Sequence, residues 1–436
     1  MKTTLFSTLL ISLGASSLPG ALSEVTYSLQ EGEDGYAGSA QLRIRANGDV
    51  NDGAAVDTGH PDPSQRQTFY LDGGFDAESN RADMLFRFEN ALADLPAGAV
   101  ITQARFELTT SDVTTSNPSG GTFNVYRLTN GFDPGSTTYA NLSAAGGVQM
   151  GESADMLSGS FSGMTANGTT VSADVTRIVQ SWVNGDPVHG FGVRSDRSND
   201  GWSVETVSSS QTSGRPKLVI SYTTDPVQLH EYQQGKNGYA GGRHALISSN
   251  SPTEMVATAA QVFLDGSDGD QSYDDPYLLA FDGVENDIAG QQVELGELTL
   301  VTGFASSAAD SGGPYTIHQL LLPFDQSTVV YDDFAGDVTA MMAANQIGPA
   351  VAAFTGMSDT EVVTADVSAI LQNWADGEAN YGFYIAADGT SNGWQIFSND
   401  DPEFAPYLRI ITSQIPEPST TLFAAMALVP LLRRRR

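Results

Sequence analysis

The chain has 436 residues, no cysteine, and 52 acidic against 20 basic side chains, a formal net charge of −32 at neutral pH. That sign of charge repels phosphate backbones, which excludes nucleic acid as a partner, and without cysteine no disulfide can brace the fold. The 45 glycines and the many Ser, Thr and Asp residues suit short strands and turns better than long helices.

Residues 1–23 have the order of a secretory signal peptide. Lys2 is a small basic start, Leu5 to Leu13 is largely apolar, and Ala21 to Ser23 is a small-x-small cleavage site. Signal peptidase is the expected partner there, and the mature chain is expected to begin near Glu24. Without this segment and the last 23 residues, about 390 residues remain, enough for two or three domains.

The next two stretches, 24–223 and 224–413, read as two copies of one domain. Residues 123–128 (FNVYRL) match 315–320 (YTIHQL), and 174–185 (DVTRIVQSWVNG) match 366–377 (DVSAILQNWADG), both at an offset of 192. Phe132 and Asp133 match Phe324 and Asp325, and Tyr139 matches Tyr331. The GYAG segments at 35–38 and 238–241 match at a larger offset, so the loops between differ in length. A period this long signals tandem globular domains rather than a solenoid.

Within each copy the apolar pattern is that of strands. Residues 104–108 (ARFEL) and 297–300 (ELTL) alternate apolar and polar, as does 84–88 in part. Residues 217–222 and 407–411 follow a proline and read as closing strands. Many short strands separated by turn signals predict an all-β fold of two tandem jelly-roll β-sandwich domains. One short helix per copy is predicted. Val175, Ile178, Val179 and Trp182 share a helical face, with Asp174 as N-cap and Gly185 as stop, and residues 366–377 repeat the pattern.

These residues carry a resemblance. The ending of 174–185, then Gly190 and Phe191, then a last strand opened by Pro216, resembles the DNRLRE domain; residues 85–88, 95–98 and 101–108 follow the same order. The resemblance covers nearly all of 25–223 and is weaker over 227–413. It implies a jelly-roll module of bacterial exported proteins, grouped with carbohydrate-binding modules. After Phe132 the family's usual tryptophans are replaced by Asp133 and Tyr139, so a ligand specificity does not carry over.

Three sets of side chains are candidates for chemistry. Trp202 and Trp394 sit in Gly-Trp turns and Tyr36 and Tyr239 in the GYAG turns; each is read either as a platform for a sugar face or as core packing. Asp72, Asp76 and Asp83 in the first copy, and Asp265, Asp268, Asp270, Asp274 and Asp275 in the second, are read either as calcium ligands or as solvated acidic loops. The five histidines form no two-histidine metal motif and read as surface or packing residues. No catalytic site is expected: no nucleophile elbow or zinc-binding helix is present.

Residues 414–436 close the chain with Pro416, Glu417 and Pro418, an apolar run from Thr420 to Leu432, and Arg433, Arg434, Arg435 and Arg436. This three-part order resembles the PEP-CTERM sorting signal, which implies an exosortase as partner. The run has 13 residues with Pro430 inside it, short of the roughly 20 of a spanning helix, so membrane contact through this sorting helix is expected to be transient. The arginines stay cytoplasmic by the positive-inside rule.

The expectation is a non-catalytic exported protein of the cell surface or extracellular matrix of a Gram-negative-type bacterium, binding carbohydrate such as an exopolysaccharide. The alternative is a structural or adhesive matrix protein without a glycan ligand. A polysaccharide hydrolase ranks last.

Overall fold

A computed structural model describes residues 22–47, 68–74, 80–111, 121–162, 166–195, 201–256, 259–266, 274–303, 313–387 and 393–415. Residues 1–21 of the signal segment and the tail from Pro416 to Arg436, with all seven sorting-signal residues, lie outside them. Among the described residues no helix is long and apolar enough to cross a membrane.

The first copy contains strands β1 (Glu24–Gln30), β2 (Ser39–Arg45), β3 (Thr68–Leu71), β4 (Ala82–Phe88), β5 (Val100–Thr109), β6 (Phe123–Leu128), β7 (Ala154–Phe161), β8 (Thr170–Asp174), β9 (Phe191–Arg194), β10 (Trp202–Glu205) and β11 (Lys217–Thr223). The second contains β12 (Val227–Gln233), β13 (Gly242–Leu246), β14 (Gln261–Leu264), β15 (Tyr277–Phe281), β16 (Gln291–Val301), β17 (Tyr315–Leu320), β18 (Ile347–Phe354), β19 (Val362–Asp366), β20 (Phe383–Ala387), β21 (Trp394–Phe397) and β22 (Tyr407–Gln414). Strand for strand the sheets agree. A four-stranded sheet runs β1-β11-β5-β8 in one copy and β12-β22-β16-β19 in the other. A five-stranded sheet runs β2-β4-β9-β6-β7 and β13-β15-β20-β17-β18, and a short pair joins β10 to β3 and β21 to β14. Among the described residues no sheet mixes strands of the two copies, and the fold is all-β, of jelly-roll type.

Each core lies between the two larger sheets. Leu29, Phe106, Leu218 and Ile220 of the four-stranded sheet meet Met84, Phe86, Val125 and Phe191 of the five-stranded one; Leu298, Leu408 and Ile410 meet Leu279, Ile317 and Phe383 in the second copy. The alternation expected in 84–88 is incomplete because the five-stranded sheet is covered on its outer face as well. Phe132, Leu142 and Val148 pack onto Leu42, Leu85 and Leu128 there, and Phe324, Phe334 and Met341 onto Leu278, Leu320 and Tyr384 in the second copy. A strand buried on both faces loses its period of two.

Among the described residues there are more short helices than one per copy. Beyond the expected pair, α2 (Thr176–Val183) and α5 (Ser368–Ala375), there are α1 (Tyr139–Leu142), α3 (Val284–Asp287) and α4 (Val338–Ala343). These are too short to print an apolar period on the sequence. In α2 and α5 the expected faces are buried: Val175, Ile178, Val179 and Trp182 are at most 3% exposed, and Val367, Ile370, Leu371 and Trp374 at most 1%. The cap differs by one residue. Val175 occupies the N-cap position because its side chain is drawn into the core, and Asp174 accepts the Thr176 amide at 2.8 Å from one place earlier. Asp366 does the same for Ser368 at 2.9 Å. Gly185 and Gly377 follow at φ +113° and +102°, a conformation that frees the chain from the helix at no steric cost.

Candidate functional site

The aromatic platforms are the first correction. Trp202 and Trp394 are fully buried. Trp202 packs between Phe123 and Phe161 at ring distances of 5.3 and 5.4 Å, and Trp394 between Tyr315 and Phe354 at 5.2 and 5.5 Å. Their indole N–H groups donate to Thr110 at 3.0 Å and Thr302 at 3.1 Å. An indole with no exposed face cannot stack on a sugar. The strand after each Gly-Trp turn carries the ring inward to the short sheet pair. Tyr36 and Tyr239 are half-buried; each leans on a core aromatic and donates its hydroxyl to a backbone carbonyl, of Glu89 and of Asp282, at 3.2 Å. Burial pushes the Tyr36 phenol up to about 12.

Among the described residues the candidate aspartates form no metal-holding cluster. Asp76, Asp268 and Asp270 lie outside the described residues. Among the described residues no three His, Asp or Glu side chains converge to hold a metal ion. Asp72 accepts the Gly74 amide at 2.7 Å, Asp265 that of Gly266 at 2.9 Å, and the fully buried Asp83 that of Val148 at 2.9 Å. Asp274 donates its amide to Ser249 at 2.6 Å, and burial raises the carboxyl of Asp275. The bonds of Asp72, Asp83 and Asp265 tie turns and a strand end to the backbone.

The structure instead brings residues of the two copies together. Arg409 on the outer face of β22 is 1% exposed. It pairs with Glu297 on β16 at 3.1 Å and donates to the carbonyls of Ile101 and Thr102 in the first copy. Thr102 is the extra residue of a β-bulge against β11, so its carbonyl is free of the ladder and available to a partner. Ser160 and Ser162 contact Val362 and Glu361 at 3.0 and 2.7 Å, and Val301 and Phe397 join the apolar layer over the first copy's outer sheet.

Beside this contact a cleft of about 420 Å³ opens. One wall is Arg127 on β6, Asp155 and Met156 on β7, and Arg177, Ser181, Asn184 and Asp186 on or just after α2; the other is Glu231 and Gln233 on β12, Lys236 and Asn237 in the turn after it, and Tyr407 on β22. Arg127 grips Asp155 through Nε at 2.8 Å and Nη2 at 2.6 Å, donates Nη1 to Ser181 at 2.7 Å, and also contacts Asp186. Burial works against its charge, but the bonds and charges of Asp155 and Asp186 prevail and raise its pKa. Arg177 lies over the Tyr407 ring, 4.2 Å from its centre, and donates to Gln233. The Tyr407 hydroxyl donates to Glu231, and burial followed by the Glu231 charge pushes its pKa far up. The wall is thus a fixed lattice of charge-assisted hydrogen bonds. At its rim Asp155, Asn184, Asp186 and Asn237 are exposed.

Residue-type patterns within one copy do not reveal this site. A comparison of the copies does, since several of its members stand where the copies differ: Arg127 against Gln319, Arg177 against Ala369, Lys236 and Asn237 against Glu33 and Asp34, and, by strand register, Tyr407 against Lys217.

No family model matches the chain, and no curated protein matches it. Among solved structures it is similar to a fucolectin from striped bass (Morone saxatilis) serum, at 9% identity over 86% of this chain and 96% of that one, with a TM-score of 0.21. It is also similar to the Macrobrachium rosenbergii nodavirus, at 8% identity over 94% and 95% of the two chains, with a TM-score of 0.17. At such scores neither likeness bears on a ligand.

Proposed function

We propose that this is a non-catalytic, exported protein of the cell surface or extracellular matrix that binds carbohydrate in the cleft between its two sandwiches. The observation that carries the reading is the cleft itself. It has the volume of a small-molecule site, and it sets an aromatic residue and a thioether, Tyr407 and Met156, among hydrogen-bonding groups held from both sides. The signal segment 1–23 and the PEP-CTERM-like tail 414–436 support export through signal peptidase and handover to an exosortase. The acidic, cysteine-free composition supports a soluble body outside the cell. A glycan array with the tail-less mature protein, run with and without calcium, tests the binding. Retention of a defined glycan class is expected, and a blank array in both conditions removes the reading.

A second reading is favoured by the interface around Arg409. Two sandwiches locked by a buried arginine make a stiff spacer, and a purely structural or adhesive matrix protein needs nothing more. A blank array together with self-association of the protein in solution is the outcome that selects it. A hydrolase is the least favoured reading, because Arg127, Arg177, Lys236 and Tyr407 of the cleft have no like residue in the other copy.

A further inference from the structure

We infer that the cleft is built for a neutral saccharide of one or two sugar units, gripped from both domains at once, and that uronic acids are turned away. The inference rests on the carbohydrate-binding reading above and gives it a ligand class and contact residues.

The charge of the site argues first. Arg127, Arg177 and Lys236 line the cleft together with Asp155, Asp186 and Glu231, so cations and anions balance in a chain whose net charge is −32. The two arginines are already committed. Arg127 is shared between two aspartates, and Arg177 between the Tyr407 ring and Gln233. A carboxylate on a ligand would meet Asp155 and Asp186 at the rim, 42% and 49% exposed, with one uncommitted cation to offset them. Desolvating an anion among like charges is unfavourable.

The hydrogen-bonding groups argue second. Among the described residues of the cleft, the Lys236 ammonium and the Asn237 amide make no side-chain bond within the chain. They offer donors from the second domain. Asp155 and Asp186, each bound to Arg127 on one side, keep lone pairs free for hydroxyl donors from the first domain. A sugar hydroxyl both donates and accepts, so it can bridge such opposed rows. A simple anion or cation cannot satisfy both.

The test uses the mature protein and calorimetric titration with neutral hexoses and their disaccharides, alongside glucuronic and galacturonic acid. Two variants are chosen to spare the fold. Lys236→Ala removes an ammonium without a partner. Asn237→Gly suits a backbone at φ +51°, where glycine is at ease. The expected result is that a neutral sugar binds, that its affinity falls tenfold or more in each variant with the melting temperature unchanged, and that the matching uronic acid binds at least tenfold more weakly. Equal binding of the uronic acid, or unchanged affinity in both variants, overturns the inference while carbohydrate binding itself stands. Binding of no sugar in this panel or on the array overturns both.

Discussion

The guanidinium of Arg409 lies 3.5 Å from the carbonyl of Thr102, more than three hundred residues away in sequence, and that contact joins the two sandwiches. A strand irregularity in the first copy supplies the acceptor, and a basic residue on the outer face of a strand in the second supplies the donor. Glu297 completes the set from the same sheet as Arg409.

Removing one member should therefore cost far more than removing both. Arg409→Ala leaves Glu297 desolvated without its cation, and a loss of about 3–5 kcal/mol is expected. The double variant Arg409→Met with Glu297→Leu should recover most of it, since well-packed apolar replacements of a buried pair are close to neutral. Urea denaturation of wild type, single and double variants checks this. A single variant as stable as wild type would sink the account of the interface.

The turn tryptophans should behave as core residues. Trp202→Ala is expected to destabilise by about 3–5 kcal/mol, as large aromatic truncations in cores do. Trp202→Phe should cost less, losing the bond to Thr110 and part of the ring contact. Neither should change saccharide affinity at a temperature where the variant is folded. Denaturation and titration on the same samples separate the two effects.

The interface carboxyls predict an inverted pH response. Burial, the largest effect, raises Asp174 above its ordinary 3.8 and Glu297 above its ordinary 4.5, although Arg409 pulls both down. A raised carboxyl binds its proton more tightly in the folded state. The stability it contributes is full below the ordinary value and is lost as pH rises through the raised one. Asp174→Asn with Glu297→Gln should thus flatten the fall in urea midpoint as pH climbs from about 4.5 towards neutrality. An unaltered slope would show that neither group titrates as described.

Paired glycines offer a test of the repeat. Gly190 and Gly382 both sit at φ +99°, and an added Cβ would run into the carbonyl oxygens of Phe86 and Leu279 respectively. Alanine at either should cost about 1–3 kcal/mol for the backbone and a similar amount for the clash. Gly185→Ala keeps only the backbone cost, because nothing lies within 4 Å of its Cβ position. Thermal melts of the three variants should rank accordingly.

Much of the fold was legible because its signals are local. The face of Val175, Ile178, Val179 and Trp182 needs only a helical period to be read, and the closing strands at Lys217 and Tyr407 announce themselves after proline. Trp202 was ambiguous because a Gly-Trp turn leads equally to solvent or to a core, and only the register of β10 on β3 decides. The cleft was not legible in any single stretch. Arg127, Arg177 and Tyr407 meet through the packing of two domains, a relation no periodicity encodes; its trace lies in which positions the copies do not share.

One further property follows from the way each sandwich is closed. β1 pairs along its whole length with β11, Glu24 opposite Thr223, and β12 likewise with β22, Val227 opposite Ser413. The last strand to be synthesised is thus an inner one, lying between β1 and β5 in one copy and between β12 and β16 in the other. Until it arrives, its two neighbours are separate edges with unsatisfied backbones. Closure joins chain ends nearly two hundred residues apart, the kind of contact that makes folding slow. The four-stranded sheet of each copy is therefore completed only by the copy's last strand, and a chain cut just before Lys217 or Tyr407 would leave two raw edges rather than a slightly smaller sandwich.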